Sequence, residues 1–121
     1  MSDEYVLLIR EPSWDPEAMT AEEWQAGMAG HKAFQDAVVA AGERIVATGA
    51  LQPATRAAKI TPTPGGAPLI TDGPFGETTE VLTGFYSYTA ATPEQARELA
   101  ALVPTGGWVE LYPVLALDTV L

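Results

Sequence analysis

Cysteine is absent from this 121-residue chain, and histidine occurs once, at His31. Without cysteine the chain can form no disulfide, no thiolate metal site and no cysteine nucleophile. A single histidine, with no repeated aspartate pattern of the EF-hand type, argues against a metal centre. The sequence also lacks the glycine-rich loops that hold nucleotide phosphates. We therefore expect a protein that works without a metal or a cofactor.

Positive charge is scarce as well. The chain has 6 Lys and Arg residues and 16 Asp and Glu residues, which gives a formal net charge of −10 at pH 7. Nucleic-acid binding depends on basic side chains that neutralise phosphates, so this composition predicts no nucleic-acid partner. No apolar run reaches the roughly 18 residues that a membrane helix needs. The acidic residues 1–4 lack the basic region of a signal peptide, so we expect a cytoplasmic protein without membrane contact.

Local sequence signals predict one domain over residues 1–121. The hydrophobic fraction of 47% is sufficient for a core, and the length lies in the common domain range. Short apolar runs, two capping boxes and turns rich in proline and glycine mark the elements. They predict a strand at 5–9, a helix at 20–41, a strand at 44–48, a hairpin at 58–61 and 68–71, a strand at 81–89, a helix at 92–103 and a strand at 108–117.

With the hairpin set aside, this order is βαββαβ, the split βαβ pattern. It predicts an α+β fold in which both helices cover one face of an antiparallel sheet. The run at 5–9 is apolar at every position, so it is expected in the centre of that sheet. The other face of the sheet still carries aromatic and aliphatic residues and needs cover. A second copy of the chain is the expected cover, and we predict a homodimer.

The first predicted helix carries the histidine on its apolar side. Spacings of three and four place Trp24, Met28, His31, Gln35 and Val38 on one face. A histidine in such surroundings needs a polar partner, because burying an unpaired polar group is unfavourable. It is therefore the first candidate for acid/base chemistry. The alternative is a core histidine that is satisfied by a carboxylate or a carbonyl.

A rigid turn follows the predicted hairpin, at Asp72, Gly73, Pro74 and Phe75. An Asp side chain can accept a hydrogen bond from the backbone two residues on, Gly permits a positive φ, and Pro restricts its own φ. Held in this way, the Asp72 carboxylate could fix the tautomer of His31 and favour its charged form. We predict these two residues as a catalytic pair. The alternative is that Asp72 only closes the turn.

Three further residues are candidates for a ligand pocket. Glu110 alternates with Trp108 and Tyr112 on the last predicted strand, so it lies in an aromatic neighbourhood. A solvated position at the sheet edge is the alternative. Tyr86 and Trp24 could line the same pocket, although aromatic residues at such positions also serve as core.

One set of motifs recurs in a known family. The chain has DGPF at 72–75, a Glu-Thr pair at 77–78, Gly-Phe-Tyr at 84–86 and Val-Glu-Leu-Tyr-Pro at 109–113. In this order they resemble the YCII-related family, in its DGPF-containing branch. The resemblance implies a ferredoxin-like fold that pairs as a dimeric α/β barrel, and an activity that is mostly unassigned. It also implies a His–Asp pair proposed as catalytic, which His31 and Asp72 would match.

Three functions are compatible with these observations. The first is an enzyme, without a cofactor, that uses His31 and Asp72 as acid and base on a small organic molecule in a dimer cavity, for isomerisation or elimination. The second is a non-catalytic ligand-binding or regulatory module, for which the resemblance implies a link with alternative sigma factors. The third is an architectural role, in which the motif turns the chain and the pair joins helix to loop.

Overall fold

The computed structural model describes residues 1–75 and 81–119, and the predicted order of elements is present in it. The elements are β1 (Asp3–Glu11), α1 (Ala21–Ala40), β2 (Ile45–Ala50), β3 (Ala58–Thr61), β4 (Leu69–Asp72), β5 (Val81–Ala90), α2 (Pro93–Ala100) and β6 (Trp108–Pro113). Neither α1 nor α2 is both long and apolar enough to cross a membrane. The Glu-Thr pair at 77–78 lies outside the described residues.

The four longer strands form an antiparallel sheet in the order β2-β5-β1-β6, and β3 pairs with β4 in a separate two-stranded sheet, as far as the described ranges extend. β1 lies between β5 and β6, which confirms its predicted central position. Every residue of β3 and β4 is exposed. The hairpin therefore stands apart from the main core.

Both helices pack on one face of the four-stranded sheet, as predicted. The largest fully buried side chains are Tyr88, Phe34, Leu7 and Val38, and they come from β5, α1 and β1. The alternate residues of the strands point to the opposite face. That face carries Leu8, which pairs with Phe85 on one side and with Glu110 on the other. It also carries Trp108 and Tyr112, with exposed fractions of 47% and 53%.

The ends of α1 follow the sequence signals. The Thr20 hydroxyl accepts a hydrogen bond from the N–H of Glu23 at 3.1 Å, and the Glu23 carboxylate accepts one from the N–H of Thr20 at 3.4 Å. This is the predicted capping box. Gly42, with a φ of 78°, follows the helix and permits the left-handed conformation that ends it.

The last strand is shorter than predicted. The sequence pattern extends to residue 117, but β6 ends at Pro113. Pro113 lies opposite Tyr5, near the start of β1, and its nitrogen has no hydrogen to donate to the ladder. The N–H of Val114 still donates to the Glu4 carbonyl at 2.9 Å, and the chain then leaves the sheet.

The motif turn uses its glycine differently from the sequence expectation. Gly73 follows β4 without a positive φ, and the bond between Gly73 and Pro74 is cis. Its N–H donates to the carbonyl of Ala57 at 2.8 Å. A Cβ at this position would collide with the carbonyl oxygen of Ala54. The expectation of a positive φ was wrong: glycine is required here because two backbone segments approach closely.

Candidate functional site

A cleft with a volume of about 960 Å³ opens beside α1 and the sheet. Its apolar lining includes Ile9, Trp14, Met19, Trp24, Met28 and Pro104. Its polar lining includes Glu11, His31, Gln35, Thr83, Tyr86 and Thr105. A volume of this order, with apolar walls and a few polar groups, is typical of a site for a small molecule.

The loop between β1 and α1 is fixed as one wall of this cleft. The indole N–H of Trp14 donates to the carbonyl of Leu51 at 2.7 Å. Its ring meets that of Trp24 edge to face, with 6.3 Å between the centroids. The hydrogen bond ties the loop to the segment after β2, and the ring contact ties it to α1. We call Trp14 and Trp24 together the tryptophan corner.

His31 is held at the cleft by a hydrogen bond between its Nδ1 and the hydroxyl of Tyr86, at 2.8 Å. Gln35, one helical turn further along α1, donates from Nε2 to the same hydroxyl at 3.2 Å. Tyr86 is 3% exposed, and its ring packs against Phe34 with 4.6 Å between centroids. Because the phenol ring is fixed in the core, its hydroxyl presents a fixed partner to His31.

The positions of the protons are assigned from these hydrogen bonds. A phenol hydroxyl has one proton to donate, and it accepts through its oxygen lone pairs. We assign Gln35 Nε2 as the donor to the hydroxyl, and the hydroxyl as the donor to Nδ1 of His31. The imidazole then carries its proton on Nε2. Among the described residues no hydrogen-bond partner is present for Nε2, so this nitrogen is available to a ligand in the cleft.

The charge state of His31 follows from its surroundings. Burial disfavours the imidazolium and lowers the pKa of His31, while the negative charge of Glu11 acts in the opposite direction and is the smaller effect. The surroundings therefore favour the neutral form of the ring. Glu11 accepts a hydrogen bond from the N–H of Gly106 through Oε2 at 3.0 Å.

The predicted pairing of His31 with Asp72 is not present in the single chain. Asp72 is an exposed residue at the end of β4 and is not part of the cleft lining. No hydrogen bond or ion pair joins it to His31 within the residues that the structure describes. The partner of the imidazole is Tyr86, so the carboxylate expected from the sequence is replaced by a phenol. The motif residue Phe75 is half-buried.

Glu110 is separated from the cleft. It lies on the sheet face that points away from the helices, opposite Leu8. Its carboxylate pairs with the Nε of Arg10 at 3.1 Å, and both side chains are about one-third exposed or less. The structure thus brings three of the candidates to the cleft, His31, Trp24 and Tyr86, and leaves Glu110 with Arg10.

Sequence reasoning missed Glu11, Trp14 and the role of Gln35. Gln35 follows His31 by four residues, which is the spacing of side chains that share a helix face, so the sequence did hold a signal for it. Trp14 and Glu11 lie in or next to a loop, where periodicity gives no orientation. Within the described ranges, no group of three or more His, Asp or Glu side chains is placed to hold a metal ion.

Comparison with known proteins gives a family. The model of the YCII-related domain matches residues 4–118. No curated protein matches the sequence. The family match covers nearly the whole chain, including all the residues that line the cleft. The chain therefore belongs to the YCII-related domain family.

Proposed function

We propose that this protein is an acid/base enzyme, without a cofactor, that acts on a small organic molecule in the cleft beside α1. One observation carries the proposal. His31 lines the cleft with a lowered pKa, its Nδ1 is hydrogen-bonded to Tyr86, and its Nε2 has no partner among the described residues. A neutral imidazole held in one tautomer can exchange a proton with a bound molecule.

The geometry supports a path for that proton. His31 would donate its Nε2 proton to an oxygen of the ligand and take the Tyr86 hydroxyl proton at Nδ1. The amide of Gln35, which donates to the Tyr86 oxygen at 3.2 Å, would stabilise the negative charge that forms there. Return of both protons restores the starting state. Such an exchange suits isomerisation or elimination through an enol.

A carboxylate is the second group that such a reaction needs, to accept a proton from carbon. Within the single chain Glu11 is the better candidate, because it lines the cleft and its charge acts on His31. Asp72, the candidate from the sequence and from the DGPF branch, could act only if another copy brings it to the cleft. Glu11→Gln and Asp72→Asn separate the two: the carboxylate that accepts the proton is the one whose loss lowers the exchange rate.

A homodimer is the assembly that we propose. The strand order β2-β5-β1-β6, with both helices on one face, supports a ferredoxin-like fold. The resemblance to the DGPF-containing branch implies that such domains pair as a dimeric α/β barrel. The exposed aromatic residues Trp108 and Tyr112 on the uncovered face support this pairing. Sedimentation of the wild type at twice the mass of one chain would agree, and a monomer at micromolar concentration would contradict it.

Solvent deuterium exchange tests the catalytic proposal directly. We would incubate a panel of small carbonyl and hydroxy compounds with the protein in D₂O at pH 7 and follow their C–H signals by ¹H NMR. We expect faster exchange of at least one compound with the wild type, and a loss of roughly 100-fold or more in His31→Gln. The control Glu98→Gln changes an exposed residue of α2 and should retain the rate. Equal exchange in folded His31→Gln, or no acceleration by the wild type, would contradict the proposal.

The alternative is a non-catalytic domain in which the same residues join α1 to β5. It is favoured by the hydrogen bonds that the hydroxyl of one buried tyrosine forms with both His31 and Gln35, which link a helix to a strand. Under this alternative, His31→Gln lowers the free energy of unfolding but no compound exchanges its protons. The exchange experiment therefore distinguishes the two functions.

A further inference from the structure

The cleft has a chemistry that selects among ligands by charge. Resting on the function proposed above, we infer that it takes an uncharged carbonyl compound with a flat apolar body, and that Glu11 excludes the corresponding carboxylates. Three features of the cleft support this ligand class: its apolar lining, its charged residues and the proton on Nε2 of His31.

The walls favour a flat apolar body. The tryptophan corner presents two aromatic rings, one from a loop and one from α1, with 6.3 Å between their centroids and 73° between their planes. Met19 and Met28 add thioether side chains to the same lining. Aromatic rings pack in edge-to-face or offset geometry against such surfaces, and methionine adapts its shape to them. A ring-sized ligand therefore gains more contact here than a compact polar one.

The charges of the cleft oppose an anion. Of its charged residues, Lys32 is paired with Asp36 at 2.6 Å, and the two side chains are 72% and 64% exposed. Glu11 remains without an ion-pair partner among the described residues, and the whole chain has a net charge of −10. A negative ligand beside Glu11 would be repelled by this site and by the field of the protein.

A cation is also less suitable than an uncharged ligand. One oxygen of Glu11 already accepts from the N–H of Gly106 at 3.0 Å, so the carboxylate has less capacity to replace the hydration of a cation. His31 presents an N–H at Nε2, which would repel a cation and requires an acceptor. A carbonyl oxygen is an uncharged acceptor that meets this requirement.

Three probes with a common phenyl ring test the inference: acetophenone, benzoate and benzylammonium. Binding is measured from the ¹H NMR signals of the imidazole of His31. These signals need no assignment because the chain has one histidine. Tryptophan fluorescence in Trp108→Phe gives a second measurement, because the two tryptophans that remain both line the cleft. Neither measurement requires turnover.

We expect acetophenone to shift the His31 signals and to bind at least about tenfold more tightly than benzoate. Glu11→Gln should reduce the ratio of the affinities for acetophenone and benzoate by roughly three- to tenfold, since a negative charge near the ligand is removed. The matched control Glu98→Gln changes the net charge equally but lies on α2, outside the cleft lining, and should leave the difference unchanged.

Two outcomes would overturn the inference. Benzoate or benzylammonium binding as tightly as acetophenone would show that charge does not select the ligand. The absence of any shift at His31 with all three probes would remove the cleft as a ligand site. Selective binding of acetophenone, together with no deuterium exchange in any compound, would leave the ligand class intact and refute the proposed catalysis.

Discussion

Removing one oxygen atom from Tyr86 is the most informative perturbation of this site. Tyr86→Phe keeps the ring that packs against Phe34 at 4.6 Å and deletes the hydroxyl that contacts His31 and Gln35. The change therefore tests the hydrogen-bond network without opening a cavity in the core. Its effects on stability and on the imidazole can be worked out separately.

The effect on stability should be small. A typical hydrogen bond contributes about 0.5–1.5 kcal/mol to the free energy of unfolding, and an unsatisfied buried partner costs more. Here both partners, His31 and Gln35, are half-buried at the wall of a cleft, so water can replace the lost hydroxyl. We expect a loss of about 1 kcal/mol in chemical denaturation. The control Glu98→Gln, at an exposed position on α2, should change stability by less than about 0.5 kcal/mol.

The effect on His31 has a definite sign. A hydroxyl that donates to Nδ1 stabilises the neutral ring, so its removal should raise the pKa of His31 towards the ordinary value of about 6.5. An NMR pH titration of the variant measures this shift. If the pKa falls instead, Nδ1 carries the proton and donates to the Tyr86 oxygen in the wild type. The assignment of the Nε2 tautomer would then be refuted.

Three further predictions concern stability. Gly27→Ala should raise the free energy of unfolding by about 0.5–1 kcal/mol, because alanine favours a helix and open space surrounds this Cβ position. Gly30→Ala should lack this gain, since its Cβ would meet a proline ring at 3.0 Å. Thermal unfolding of the two variants and the wild type measures the difference. Tyr88→Phe should cost about 1–2 kcal/mol in denaturant titration, because the buried hydroxyl donates to a carbonyl of α2 at 2.6 Å. Because the pKa of His31 is lowered in the folded protein, the unfolded chain takes up a proton first as the pH falls below about 6.5. The free energy of unfolding should therefore decrease with falling pH until the pKa of His31 in the folded protein is passed. This pH-dependent decrease should be absent from His31→Gln.

Much of the fold was predictable from local signals. The capping box of Thr20 and Glu23 and the left-handed Gly42 fix the ends of α1, and each involves residues close in sequence. The apolar run at 5–9 predicted the central strand, because a run without polar alternation is typical of an inner strand. In the single chain Tyr5, Leu7 and Ile9 are buried, and the residues between them are half-buried. The end of β6 was not predictable in this way, since it depends on which residues of β1 pair with β6.

The site was predictable only in part. Helical periodicity placed Val38 on the same face of α1 as Trp24 and His31, and Val38 is buried in the core beside Phe34. Trp24 and His31 line a cleft instead. Periodicity shows which residues share a face and does not show whether protein or a ligand covers it. The hydrogen bond to Tyr86 spans 55 positions in the chain, so only the folded structure could reveal this partner of His31.

An NMR pH titration of His31 in the wild-type protein is the measurement that tests the account most directly. Burial in the cleft beside a neutral phenol predicts a pKa below about 6.5, and Asp72→Asn should leave that value unchanged. A pKa above 6.5 that falls in Asp72→Asn would show that a charged His–Asp pair exists. It would contradict the site described here and restore the pairing predicted from the sequence.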